Sequence, residues 1–214
     1  MKRRPPSGRD AQLRQHIASE AARLMVEGGI RDYGLAKRKA VAQLNVGHTR
    51  NLPANQEIEQ AVVEYQRLFR SQSQPQQLRR LREAALRALR FFEPFDPRLV
   101  GPVLSGTADE HSPVELHLFA DTPEEVDLFL AEWHLPHELD EQALRMTPER
   151  VERYPRYRFV AEDVRFEATV FSRDGLRQAP LSTVDGRPMR RANVAATEAL
   201  LEEGGGLEPL ACGG

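Results

Sequence analysis

The spacing of apolar residues changes near residue 92, from the three-and-four rhythm of helices to the alternation of strands, and this bounds every fold open to the chain. Leu13, Ile17, Ala21, Leu24 and Met25 share one helical face, and Gly28-Gly29 closes that helix. Ile30, Tyr33, Ala36, Ala40, Val41 and Leu44 form a second periodic set, with Arg31, Lys37, Arg38 and Lys39 on its outer side. After a polar loop from Asn45 to Pro53, with Asn51 or Asn55 as the expected cap, a third helix carries Ile58, Val62, Tyr65, Leu68 and Phe69 as its stripe. Ser71–Gln77 reads as a joint, with Pro75 restarting the chain. A fourth helix from about Gln76 to Phe92 turns Leu78, Leu81, Ala85, Leu89 and Phe92 inward.

Beyond Pro94 and Pro97 the pattern is that of strands. Leu99–Leu104 is short, apolar and β-branched, as in a buried strand, and Ser105-Gly106-Thr107-Ala108 follows as a turn. Val114, Leu116 and Leu118 alternate with Glu115 and His117. Thr122-Pro123-Glu124-Glu125 is a capping box opening a helix that buries Val126, Phe129, Leu130 and Trp133. Arg158–Ala161 and Val164–Phe171 form a hairpin about Glu162-Asp163, and a last helix spans about Ala192 to Glu203. The whole predicts an α+β protein with a helical module over 1–72, an α/β domain with a mixed sheet over 76–203 and a flexible tail over 204–214.

Charge follows the same division. The net charge of −2 conceals a balance of +10 over residues 1–90 (18 Lys/Arg against 8 Asp/Glu) and of −12 over 91–214 (12 against 24). Arg79, Arg80, Arg82, Arg87 and Arg90 crowd the fourth helix, where like charges repel, so a counter-charge is expected nearby. Two sources are open: acidic residues of the same chain, or the phosphates of a nucleotide or nucleic acid. The single Cys212 excludes a disulfide within the chain and any multi-cysteine zinc site. No apolar run approaches the roughly 18 residues of a membrane span, and no apolar signal core follows the basic start, so the expected setting is soluble and cytoplasmic with no membrane partner.

One set of residues resembles a known family. A strand leading to Leu104-Ser105-Gly106-Thr107, a short loop, a strand reading Glu115-Leu116-His117-Leu118 and a later Phe166-Glu167-Ala168 are similar to the metal-site motif of the polymerase beta-like nucleotidyltransferase superfamily. The likeness covers about residues 78–171. It implies a nucleotidyltransferase-like α/β domain, with Glu115 and Glu167 as catalytic carboxylates holding Mg²⁺, because magnesium takes hard oxygen ligands. It further implies that Gly106 and Thr107 meet phosphate and that Arg79, Arg80 and Arg82 steer a nucleotide or RNA-type polyanion. His117 stands at the second acid position, where its nitrogen is a poor magnesium ligand, so the motif is degenerate and transfer chemistry is in question. The alternative is a non-enzymatic regulatory or interaction protein that binds nucleic acid or a protein partner through its basic helices.

Weaker constellations complete the reading. His134 and His137, three apart with Pro136 between them, lack further spaced ligands for zinc. Arg187, Arg190 and Arg191 cluster before the last helix, to reach either phosphate or the domain's own acids. There is no Walker sequence, no Gly-x-Gly-x-x-Gly and no serine nucleophile elbow.

Overall fold

The computed structural model describes residues 8–46, 49, 51–70 and 73–204, with the backbone alone for 8, 9 and 204. Residues 71 and 72 of the expected joint, and the tail from 205 with Cys212, lie outside the described residues. The chain divides into two compact units between Gln74 and Pro75, with Thr183–Gly186 grouped with the first.

The first unit contains α1 (Gly8–Gly28), α2 (Tyr33–Gln43) and α3 (Asn55–Phe69). Its core is small: Ile17, Ala21 and Ala22 of α1 meet Ala36 and Ala40 of α2 and Ile58 and Val62 of α3. Asp32 caps α2 by accepting from the Leu35 amide at 2.5 Å. Neither Asn51 nor Asn55 caps α3. Ala54 takes the cap position, and the Glu57 carboxylate reaches back to its amide at 2.6 Å while also pairing with Arg14 at 2.9 Å. The inward stripe of α3 is shorter than its periodicity implies, since Leu68 and Phe69 are each 69% exposed.

The second unit opens with α4 (Ser73–Phe91), Pro75 lying in its first turn where the missing N–H has no partner to lose. There follow β1 (Arg98–Val100), α5 (Gly101–Ser105), β2 (Val114–Ala120), α6 (Pro123–Glu132), β3 (His137–Arg145), β4 (Val151–Ala161), β5 (Val164–Ser172) and α7 (Val194–Gly204). The strands form one mixed sheet in the order β1-β2-β5-β4-β3, parallel between β2 and β5 and antiparallel elsewhere. The fold is thus α+β, with helices preceding a five-stranded mixed sheet. Among the described residues no helix is long and apolar enough to cross a membrane.

One face of the sheet is apolar. Leu116 and Leu118 of β2 and Phe166, Ala168 and Val170 of β5 pack under Leu81, Ala85 and Leu89 of α4 and Val126 and Leu130 of α6. Glu125 reaches back to the Thr122 amide at 3.2 Å, so α6 starts where the capping pattern places it. Its end differs from expectation, because Trp133 follows the last turn and is 61% exposed.

Two corrections concern strands. Leu99–Leu104 is not one strand: Gly101 turns at φ +68° and Pro102 opens the single helical turn of α5. The sequence pattern also misses β3 and the first half of β4, which pair residue for residue from His137↔Phe159 to Arg145↔Val151. The β4–β5 hairpin does turn at Glu162-Asp163, with φ of +50° and +58°. Such two-residue turns favour glycine at the second position. Replacing Asp163 with Gly removes left-handed strain of about 1 kcal/mol, less some backbone entropy. The expected result is a higher urea midpoint with unchanged slope; a lowered midpoint would contradict the turn geometry.

Candidate functional site

The second face of the sheet is polar from Glu115 to Thr169 and aromatic beyond, at Phe119 and Phe171, and the strand registers decide which side chains meet on it. Glu115 of β2 stands directly beside Glu167 of parallel β5, and His117 beside Thr169. Across β4, Arg158 is in register with Glu167 and Arg156 with Thr169. On β3, Glu138 and Asp140 face those two arginines. Four carboxylates and two guanidinium groups therefore share two adjacent rows of sheet surface, Glu115, Glu167, Arg158 and Glu138 in one and Arg156 and Asp140 in the next.

Arg156 organises them. Its Nε and Nη2 donate to the two Asp140 oxygens at 2.8 Å each, and Nη1 donates to Glu167 Oε2 at 3.0 Å. This two-pronged geometry is the strong form of an arginine–carboxylate pair. Arg158 adds a contact to Asp140 at 3.4 Å and pairs with Glu138 at 3.0 Å. Hydrogen bonding by Arg156 holds the Asp140 carboxyl below its ordinary range, and the same bond raises Arg156, with Glu167 and Glu115 contributing through their charge.

Glu115 is set by a glycine. A Cβ built on Gly101 would lie 2.8 Å from Glu115 Cδ, so the bend after β1 is open to glycine for two reasons, its positive φ and the carboxylate packed against it. Neither Gly101 nor Arg156 stands out in the sequence.

His117 is 3% exposed and accepts a hydrogen bond at Nδ1 from Arg191 Nε at 3.1 Å. Burial, with the neighbouring Arg191 charge, lowers its pKa to about 3. Arg191 also donates to the Gly175 carbonyl at 2.8 Å and lies 4.9 Å from the centroid of Phe119 and 5.3 Å from that of Phe171. Of the cluster Arg187, Arg190 and Arg191, this last residue is directed into the protein and not toward a ligand. The histidine pair resolves similarly: His137 has Nδ1 at 2.9 Å from the Leu135 carbonyl and Nε2 at 2.8 Å from Asp127, while His134 is exposed. Burial opposes the His137 charge, but acceptors at both nitrogens outweigh it and raise the pKa.

The remaining expected site residues lie elsewhere in this unit. Gly106 ends α5 at φ +89°, and the amides of Gly106, Thr107 and Ala108 all donate to the Pro102 carbonyl, at 2.9, 3.0 and 3.1 Å. Arg82 lies beside this corner, its Nη2 3.7 Å from where a Gly106 Cβ would be. It donates to the carbonyls of Val103 at 3.3 Å and Leu200 at 3.2 Å. The Ser105 and Thr107 hydroxyls are 2.9 Å apart. Arg82, Gly106 and Thr107 thus come together. Arg79 does not join them and pairs with Glu83 on its own helix at 3.0 Å, and Arg80 is exposed. Arg87 pairs with Glu162 at 2.6 Å and Arg90 with Glu198 at 2.7 Å, so much of the counter-charge to α4 comes from the same unit.

The donor set at the carboxylate row suits a guanidinium better than magnesium. Mg²⁺ needs near-octahedral oxygen ligands at roughly 2.1 Å, whereas Glu167 and Asp140 are both bonded to Arg156 and His117 presents a buried, neutral ring. Among the described residues no three His, Cys, Asp or Glu side chains are grouped to hold a metal ion. No family model matches this chain, and no curated protein or solved structure does so either.

Two measurements check this geometry. Gly101→Ala is expected to destabilise by about 2–4 kcal/mol, from overpacking and left-handed strain together. Adding Glu115→Ala should return about 1 kcal/mol or more by clearing the space; no recovery would show that the carboxylate is not what the glycine accommodates. For His117, the folded pKa lies below the unfolded value near 6.5, so its neutral form adds stability fully present above pH 6.5 and lost as pH falls toward 3. His117→Gln keeps an acceptor for Arg191 without titrating. Its melting temperature should fall less than that of the parent between pH 6.5 and 5, and parallel curves would refute the assignment.

Proposed function

We propose that the second unit is a nucleotidyltransferase-like domain that binds a nucleotide or RNA-type polyanion and has lost metal-dependent transfer. The observation that carries this reading is Arg156 between Asp140 and Glu167 beside Glu115. The carboxylates stand on adjacent strands as the resemblance implies for a metal site, but they are neutralised by a guanidinium belonging to the chain. A fixed cation supplies charge balance and does not supply the open coordination positions that activate a nucleophile in two-metal transfer.

Phosphate recognition then falls to the corner at the end of α5. Arg82 provides the cation, Thr107 and Ser105 provide hydroxyls, and Gly106 leaves the surface low enough for an oxygen to approach. The neighbouring amides are directed to the Pro102 carbonyl, so side chains carry the recognition. A second reading has one observation in its favour: Arg38 and Lys39 are exposed on α2, whereas most α4 arginines are bonded within their own unit. It assigns polyanion binding to the first unit.

Calorimetric titration with ATP separates these readings. The expected result is saturable binding that changes less than about twofold between Mg²⁺ and EDTA. Affinity should weaken about tenfold or more in Arg82→Lys with Thr107→Val, equivalent to one charge-assisted hydrogen bond. Glu115→Gln should leave it intact, and no transfer product should form. Binding that needs Mg²⁺ and disappears in Glu115→Gln would overturn the proposal and restore magnesium to Glu115 and Glu167. Absence of ATP binding, together with salt-dependent RNA binding lost in Arg38→Ala/Lys39→Ala, would transfer the function to the first unit.

A further inference from the structure

The apolar side of the second unit holds a cavity of about 300 Å³ between α4, the end of α6 and the β4–β5 hairpin. Its size falls at the lower end of small-molecule sites. The walls are aromatic: Phe91, Phe92, Phe159, Phe166 and Trp133. Phe159 and Phe166 stack at 5.0 Å with their planes 7° apart, and Phe91 meets Trp133 edge-on at 5.5 Å. The space exists because three small residues line it, Ala84 and Ala88 one turn apart on α4 and Ala161 at the end of β4.

Two charges of opposite sign also line the cavity. Arg87 comes from α4, and Glu162 comes from the left-handed hairpin turn, where its φ is +50°. They pair at 2.6 Å, yet both side chains are more than half exposed, and an ion pair so hydrated contributes little and opens readily. A ligand bearing only an acid would meet Arg87 and be repelled by Glu162, and one bearing only an amine would meet the reverse. The complementary ligand carries an acid and an amine close together on an apolar body.

We infer that this cavity is a binding site for a free α-amino acid with a large apolar side chain. The side chain fills the space between the alanines and the aromatic walls, the α-carboxylate bonds Arg87, and the α-ammonium bonds Glu162. Ring-on-ring packing favours an aromatic side chain over an aliphatic one of similar size. The site lies within one unit, uses none of the residues of the carboxylate row, and stands independently of the nucleotide reading.

Trp133 is the chain's single tryptophan and lines the cavity, so its emission reports occupancy directly. Titration of the full chain with L-phenylalanine is expected to give a saturable change at micromolar to millimolar concentration, and L-leucine a weaker one. N-acetyl-L-phenylalanine and L-phenylalaninamide, which each lack one charge, should bind at least tenfold more weakly. Arg87→Ala and Glu162→Ala, both at exposed positions, should each lose about tenfold, and Ala88→Leu should abolish the response by filling the space. No saturable response to either amino acid overturns the inference. Equal affinity for the two blocked derivatives, or for the Arg87 and Glu162 variants, overturns it as well. Should Ala88→Leu fail to fold by circular dichroism, the charge variants and derivatives decide the matter alone.

Discussion

Parallel pairing of β2 with β5 brings Glu115 and Glu167 side by side, and the polar half of the second unit is built around that conflict. Neighbouring strands lie about 4.8 Å apart, and like charges at directly paired positions destabilise a sheet. Register cannot relieve this, because a shift of one residue would turn Leu116, Leu118, Phe166 and Ala168 out of the core. The relief comes instead from β4, whose Arg156 reaches Glu167, and from β3, whose Asp140 fixes the guanidinium from the other side. Each outer strand answers a charge placed by the strand before it.

The same logic revises the charge division along the sequence. Dividing at residue 90 places the arginines of α4 with the basic half, but α4 folds with the sheet. Divided between residues 74 and 75, the balances become +6 and −8. Arg79, Arg87 and Arg90 then belong to the acidic unit that pairs them with Glu83, Glu162 and Glu198, and Arg82 bonds backbone carbonyls of the same unit. A linear charge split thus overstated the positive character of the helices. Among the described residues of the first unit, Arg38 and Lys39 keep the exposed side of α2 basic.

The sequence made the buried elements legible and left the exposed ones obscure. Helices α1 to α4, the capping box of α6, the alternation of β2 and β5 and the hairpin turn all follow from patterns that one buried face imposes. Strand β3 has no such face: Leu139 is exposed, its neighbours are charged, and its pairing with β4 carries what burial does not. Val100-Gly101-Pro102 misled for a different reason, since β-branched composition implied a strand where the glycine dihedral dictates a bend. Glu115 and Glu167 were visible as candidates because each strand alternates. The role of Arg156 was not, because it arises only when three strands distant in sequence come into register.

The two faces of the sheet therefore obey different rules of recognition. On the polar face the carboxylates of Asp140 and Glu167 are answered from within, so a ligand there must displace Arg156, and its two-pronged bond to Asp140 is hard to displace. On the apolar face, small residues on α4 allow the helix to lie close to the sheet, yet the spacing of Ala84 and Ala88 leaves volume where the hairpin end offers only Ala161. Close packing normally eliminates such space, because unfilled volume forfeits dispersion contacts. An open pocket among aromatic rings, beside an exposed pair of opposite charges, leaves apolar surface in water, and binding a further molecule there adds the contacts that the chain itself does not make.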